Sequence, residues 1–328
     1  MRIRTVALVN AVVVVVATAV TAGSANATTV STVAGPAVAA APPVISADAV
    51  MAHLRKLMDF ANSSNNTRVI GSTGFTSTVS YIKQQLDGLG WQTTVQNFQA
   101  GGRAAANVIA EWPYGDANHV VMAGAHTDSV QAGPGINDDG SGVAALLENA
   151  AAIARTQLRP QQRIRFGFWG AEEAGELGSN YYVGHLPSGA IGKINAYLNF
   201  DMVGNRSEGG KPVGWGFYRE GQQNGLNMPF ATYFDQRNVA YNKSLDTQGR
   251  SDHAAFKRAG VAVTGISSVR SLNELGRCYH RACDDLTDVD PNSLGLAANA
   301  IAAAVWQLAG TGSTSPRGLA AVAGPANR

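Results

Sequence analysis

The chain has 328 residues, 45% of them hydrophobic and only 15% charged, with a formal net charge of +2. That length and apolar content suit one large globular domain or two small ones. So small a charge offers little attraction to phosphate backbones or anionic lipid, so no nucleic-acid partner is expected.

At the N-terminus, Arg2 and Arg4 precede an apolar run from Val6 to Val20, followed by small residues and Ala25-Asn26-Ala27. A run this short falls below the ~20 residues of a membrane-spanning helix. Residues 1–27 therefore read as a secretory signal peptide cleaved near Ala27, which predicts a secreted, extracellular protein free of the membrane after cleavage. Losing Arg2 and Arg4 leaves 23 basic residues against 23 acidic ones. Residues 28–46, rich in Ala, Thr, Val, Ser and Pro, carry no amphipathic period and read as a linker or pro-segment. Residues 310–328 have a similar composition and read as a flexible tail. The folded unit expected is 47–309. No association surface is legible in it, so a monomer is the default expectation.

Within that unit, helices are expected at 47–61 and 76–89. A strand at 120–125 then precedes a helix at 142–154, a strand at 164–169 precedes a helix near 171–182, and a further strand follows at 196–200. A last helix, 291–308, carries a long stripe of Leu, Ala, Ile, Val and Trp. This alternation predicts an α/β fold, a three-layer α/β/α sandwich around a mixed, mostly parallel central sheet. The run Val120-Val121-Met122-Ala123-Gly124 is apolar on both faces, as a central strand covered on each side must be.

Ligands of open α/β sheets collect beyond the carboxyl ends of the strands, so the polar residues there matter most. His126 follows the first of these strands in AHTDSV, Glu172 and Glu173 follow the second in FWGAEEAGELGS, and Asp201 follows the third in LNFDMVG. Asp138 lies in the Gly-rich turn GINDDGSG before the next helix. Each has an ordinary structural explanation when taken alone. A single buried histidine is usually just hydrogen-bonded, Asp138-Asp139-Gly140 would make a turn and helix cap, and paired glutamates complement a helix dipole. Their recurrence at successive strand ends is what points to a metal site, and imidazoles with carboxylates form a donor set suited to zinc.

The two cysteines, Cys278 and Cys283, would oxidise readily in a secreted protein, so a local disulfide is expected, with two buried thiols as the alternative. So short a loop contributes on the order of 2 kcal/mol, and its value lies in fixing nearby side chains.

The motifs AHTDSV, GINDDGSG, WGAEEAGELGS, YLNFDM, GRSDHAAF and RCYH, in this order between residues 47 and 309, resemble those of the secreted bacterial di-zinc leucyl-type aminopeptidases of metallopeptidase family 28. The resemblance implies the zinc-dependent exopeptidase fold and two Zn2+ ions bridged by Asp138. His126 and Asp201 would complete one site, Glu173 and His280 the other. It makes Glu172 the general acid/base that takes a proton from an attacking water, and Asp128 the carboxylate that orients His126. Tyr279 would hydrogen-bond the carbonyl-derived oxygen, and Arg250 would partner Tyr279 or the substrate. Peptides with a free N-terminal amine are the implied substrates. Asp252 and His253 are expected to brace their segment, and His53, on a surface helix, His119 and His185 to be structural.

Two departures stand out. The stretch 263–278 is shorter than in the leucyl enzymes and has Ser267 where an aromatic pocket residue is expected, which weakens the expectation of a preference for large apolar N-terminal residues. Gly295 and Asn299 stand where relatives carry calcium-binding aspartates, so a calcium site is expected to be lost. The alternatives are a carboxypeptidase or other amidohydrolase on this fold, including a single-zinc glutaminyl cyclase, a non-catalytic binding domain, and a solute-binding protein. Retention of all five ligands and the base argues against the cyclase and the inactive domain.

Overall fold

The computed structural model describes residues 41–206 and 213–310. The expected signal peptide, most of the expected linker and all but the first residue of the expected tail lie outside the described residues.

In chain order the elements are α1 (Ala47–Asn62), α2 (Thr73–Gly88), β1 (Gln92–Ala100), β2 (Arg103–Glu111), β3 (Asp116–His126), α3 (Gly140–Arg155), β4 (Gln162–Trp169), α4 (Leu177–Gly184), β5 (Ile194–Phe200), β6 (Gly216–Tyr218), α5 (Arg219–Gln223), α6 (Met228–Asp235), β7 (Asn242–Leu245), α7 (His253–Arg258), β8 (Val263–Ser267) and α8 (Pro291–Leu308). The α8 boundary follows from local chemistry. Pro291 lacks the N–H that a first helical turn leaves unused, and the Asp290 carboxylate accepts from Asn292 N and Ser293 N.

The eight strands form one mixed sheet in the order β1-β2-β4-β3-β5-β8-β6-β7. Its central run β4-β3-β5-β8 is parallel, while β1-β2, β2-β4 and β6-β8 pair antiparallel and β6-β7 parallel. Along β3 the side chains alternate between two cores. Val121, Ala123 and Ala125 pack into the core that includes α1, α3 and α8, whereas Val120 and Met122 join Trp169, Tyr197 and Phe256 beneath α4 and α7. Burial on both faces explains the uninterrupted apolar run in the sequence, and it makes β3 the central plank of an α/β/α sandwich. Because β3, β4 and β5 run parallel in register, with His126 beside Trp169 and Gly124 beside Asn199, their carboxyl ends open onto one edge. Among the described residues, no helix is long and apolar enough to cross a membrane.

Two expectations need correction. The helix predicted near 171–182 begins only at Leu177, because Ala171, Gly175 and Glu176 have φ of 60°, 105° and 55°, which no right-handed helix tolerates. His53 is buried rather than on a surface face: its ring lies 2.7 Å from the Tyr81 hydroxyl and 3.2 Å from Glu148 Oε1. The carboxylate hydrogen-bonded to His53 lies below its ordinary pKa.

Candidate metal centre

The edge at the ends of β3, β4 and β5 gathers all five expected ligands. His126 is the last residue of β3, Glu172 and Glu173 follow β4, and Asp201 follows β5. Asp138 comes from the turn before α3 and His280 from the disulfide-closed loop between Cys278 and Cys283. His126, Asp138 and Asp201 form one group whose ligand atoms lie within 4.8 Å of one another, and Asp138, Glu173 and His280 form a second. Asp138 belongs to both. Its Oδ1 is 3.0 Å from His126 Nε2 and its Oδ2 3.3 Å from His280 Nε2. Glu173 Oε2 is 3.0 Å from the same His280 nitrogen, and Asp201 Oδ1 is 3.8 Å from His126 Nε2.

The donor chemistry fits metal. Two imidazoles and three carboxylates converge, and Glu173 Oε1 is buried with no hydrogen-bond partner. Orphan buried carboxylate oxygens are costly, and a dication is the partner such a donor set accommodates best. Burial lowers the His280 imidazole, yet the hydrogen bonds it donates to Asp138 and Glu173 overcome this and push it up to about 10. Burial, reinforced by Asp138, pushes Glu173 up to about 7. Burial would also raise Asp138, but the bonds to His126 and His280 hold it below the usual carboxylate range.

Asp138 and its neighbour Asp139, joined by a cis peptide, divide the work that their sequence motif left undivided. Asp139 caps α3 by accepting from Gly142 N at 2.9 Å, and its carboxylate also accepts from His126 N and Met202 N. It thereby ties the ends of β3 and β5 to the start of α3. Gly142 is needed there because a Cβ would lie 2.1 Å from Phe200 O.

Glu172 stands beside the two groups, its Oε2 3.9 Å from His126 Nε2, and burial lifts its carboxyl well above the ordinary range. Asp128 does more than the sequence suggests. His126 Nδ1 lies 3.2 Å from the Asp128 backbone carbonyl and 3.7 Å from its carboxylate. That carboxylate accepts from Glu172 N and Glu173 N, at 3.0 and 3.3 Å, so one residue orients a histidine and the paired glutamates. Tyr279 stacks on His280 with ring centroids 3.7 Å apart, and Arg250 Nη2 donates to its hydroxyl at 3.3 Å. Asp252 is buried, and Thr247 Oγ1 lies 3.0 Å from His253 Nε2.

Left-handed backbone occurs at Ala171, Met202, Ser251 and His280, each at the site or next to one of its residues. Such residues cost about 1–3 kcal/mol each, and strain of this kind concentrates at functional sites.

Two contributors carried no sequence signal. Arg68 is fully buried, and its guanidinium donates to the carbonyls of Thr127, Pro134 and Gly135, bracing the loop between His126 and Asp138. Asp284 reaches the backbone just before and at Asp138. Neither lies in a periodic pattern or at a strand end, so only the folded chain brings them in. Asn299 accepts from the N–H of Ile45 and donates to its carbonyl.

The centre opens into a cavity of about 210 Å³ whose lining includes Glu172, Arg250, Tyr279 and Ser267 together with the apolar Leu245, Val269, Leu272 and Leu275.

Comparison with known proteins matches residues 107–305 to the family described as "Peptidase family M28". Leupeptin-inactivating enzyme 1 of Streptomyces exfoliatus is 40% identical over 299 residues, which cover 86% of this chain and 66% of that protein. An aminopeptidase of Pseudomonas aeruginosa is 37% identical over 220 residues, 60% of this chain and 40% of its own. The chain thus spans between 40% and 66% of the length of these relatives. Among solved structures, BSAP, a zinc aminopeptidase from Bacillus subtilis, superposes with a TM-score of 0.70 at 18% identity, covering 82% of this chain and 96% of that one. A Bacteroides thetaiotaomicron glutaminyl cyclase bound to N-acetylhistamine gives 0.67 at 19%, covering 80% and 98%. At such identities the likeness concerns the fold alone, and that fold carries both a peptidase and a cyclase.

Proposed function

The chain belongs to peptidase family M28, and from that membership we propose that it is a secreted di-zinc aminopeptidase that hydrolyses the N-terminal peptide bond of peptides. The observation that carries this reading is the pair of ligand groups sharing Asp138 beside Glu172. His126, Asp138 and Asp201 would hold one zinc ion, and Asp138, Glu173 and His280 the other. When bound, the ions would lower the pKa of a water towards ~7 and polarise the scissile carbonyl.

Glu172 then takes the proton of the attacking water and delivers it to the leaving amine. Its position among buried groups raises its carboxyl, the direction a group needs if it is to both accept and donate near neutrality. Asp128 holds the Glu172 and Glu173 backbone so that neighbouring side chains serve different tasks. The Tyr279 hydroxyl donates to the oxygen derived from the carbonyl, with Arg250 steadying it. The surrounding carboxylates favour the ammonium of a free N-terminus. Leu245, Val269, Leu272 and Leu275 offer the N-terminal side chain an apolar wall. Secretion is supported by the composition of residues 1–27 and by the Cys278–Cys283 disulfide.

The test is a panel of aminoacyl anilides and peptides, each with a free or an acetylated N-terminus, assayed with and without chelator. The reading expects turnover of free-amine substrates only, lost with chelator and restored by zinc. Equal cleavage of acetylated substrates, or release of C-terminal residues from blocked peptides, would overturn it.

A further inference from the structure

A second cavity, of about 500 Å³, meets the metal centre at Glu173 and Asp128. Its size lies in the range that encloses small organic ligands. Val69, Ile70, Ala174 and Leu177 give it an apolar wall, and Arg103 stands in its rim, the first residue of β2 after the Gly101-Gly102 turn. Arg103 is exposed and makes no ion pair or side-chain hydrogen bond among the described residues. Gly71 lets its stem lie close: a Cβ at Gly71 would come within 3.3 Å of Arg103 Cβ.

Glu173 lines both this cavity and the one that opens over Tyr279 and His280. A peptide cut at the metal centre needs two such spaces, one for the residue removed and one for the remainder. We propose that the second cavity holds the leaving peptide and that Arg103 receives its terminal α-carboxylate, so that short peptides with a free C-terminus are the preferred substrates. The inference rests on the aminopeptidase reading. Electrostatics give the cavity its polarity. Arg103 is the one cationic side chain among the described residues that line it, at a distance along the cavity from Asp128 and Glu173, so a peptide C-terminus is drawn to its guanidinium.

The experiment measures kcat/KM for peptides of two to five residues with a common N-terminal leucine, each as the free acid and as the C-terminal amide. Leucine p-nitroanilide with the wild-type enzyme reports on the reaction itself. The wild type should favour the acid over the amide by about three- to fivefold at one or two lengths, the effect of an exposed ion pair. In Arg103→Ala the ratio should fall to about one, and in Arg103→Glu the amide should be preferred. A wild-type ratio near one at every length, or a ratio that survives both substitutions while the anilide is cleaved, overturns the inference and leaves the aminopeptidase reading standing. Failure of the wild type to cleave the anilide or any peptide removes both.

Discussion

Asp284 accepts the backbone N–H of Asp138 at 3.1 Å, and with its other oxygen that of Asn137 at 2.6 Å. It sits one residue beyond Cys283, so a single carboxylate joins the loop that carries His280 to the turn that carries Asp138. Replacing it with alanine leaves two buried donors without an acceptor. Asp284→Ala should lose about 2 kcal/mol or more of unfolding free energy, read by urea denaturation. It should also weaken zinc binding, whereas Asp284→Asn, which keeps one acceptor oxygen, should lose less. Wild-type stability in the alanine variant would show that these two hydrogen bonds do not hold the junction together.

Asp128 makes the corresponding junction on the other side. Asp128→Ala removes the acceptor of Glu172 N and Glu173 N together with the carboxylate beside His126. Turnover should fall about 10- to 100-fold, as for other residues that orient metal ligands, with KM changing less than kcat. Asp128→Asn should lie between the alanine variant and the wild type. An unchanged kcat in Asp128→Ala would refute the role.

Of the five candidate ligands, His280 is the one that no strand, helix or turn of the sheet edge supports; it has φ of 58° inside the Cys278–Cys283 loop. Reducing the disulfide, or replacing both cysteines with serine, should release the site that His280 completes and spare the one that His126 completes. Equilibrium dialysis should then show zinc content falling from two ions per chain towards one. Retention of both ions after reduction would contradict this.

Zinc binding should release protons. In chelator-treated protein the Asp138 and Glu173 hydrogen bonds hold the His280 imidazole up at about 10, and burial holds Glu173 up at about 7. Both are raised, so below those values the metal-free protein carries protons that a bound cation must displace. Apparent zinc affinity should therefore rise with pH across the neutral range, by up to about tenfold per unit for each proton displaced. Calorimetry at pH 7 in buffers of differing ionisation enthalpy should report at least one proton released. A binding enthalpy independent of buffer would contradict the assignment.

The parts of the molecule legible in the sequence are those governed by local patterns. The apolar runs of β3, β4 and β5 mark the central strands, and the stripe of Leu, Ala, Ile, Val and Trp marks α8. The hairpin β1-β2 escaped because an edge strand such as QTTVQNFQA alternates exposed and half-buried residues with few large apolar groups to mark it. The late start of α4 escaped because three left-handed residues there are imposed by the turn at the site, not by composition. His126, Glu173 and Asp201 were visible as polar residues at strand ends and Asp138 in the Gly-rich turn before α3, whereas His280 and the division into two groups came from resemblance. Arg68 and Asp284 act across 59 or more residues of chain, a reach that no local pattern records.

Metal binding and catalysis should separate at Glu172. Zinc titration of the metal-free wild type and of Glu172→Gln, with turnover of leucine p-nitroanilide followed at each addition, makes that separation. Both proteins should take up two zinc ions per chain, since Glu172 belongs to neither ligand group. The wild type should become active, while the variant falls by a factor of about 10² to 10⁴, the usual contribution of a general acid/base. A Glu172→Gln protein that turns over at the wild-type rate, or one that loses a zinc ion with its activity, would contradict the division of roles between Glu172 and Glu173.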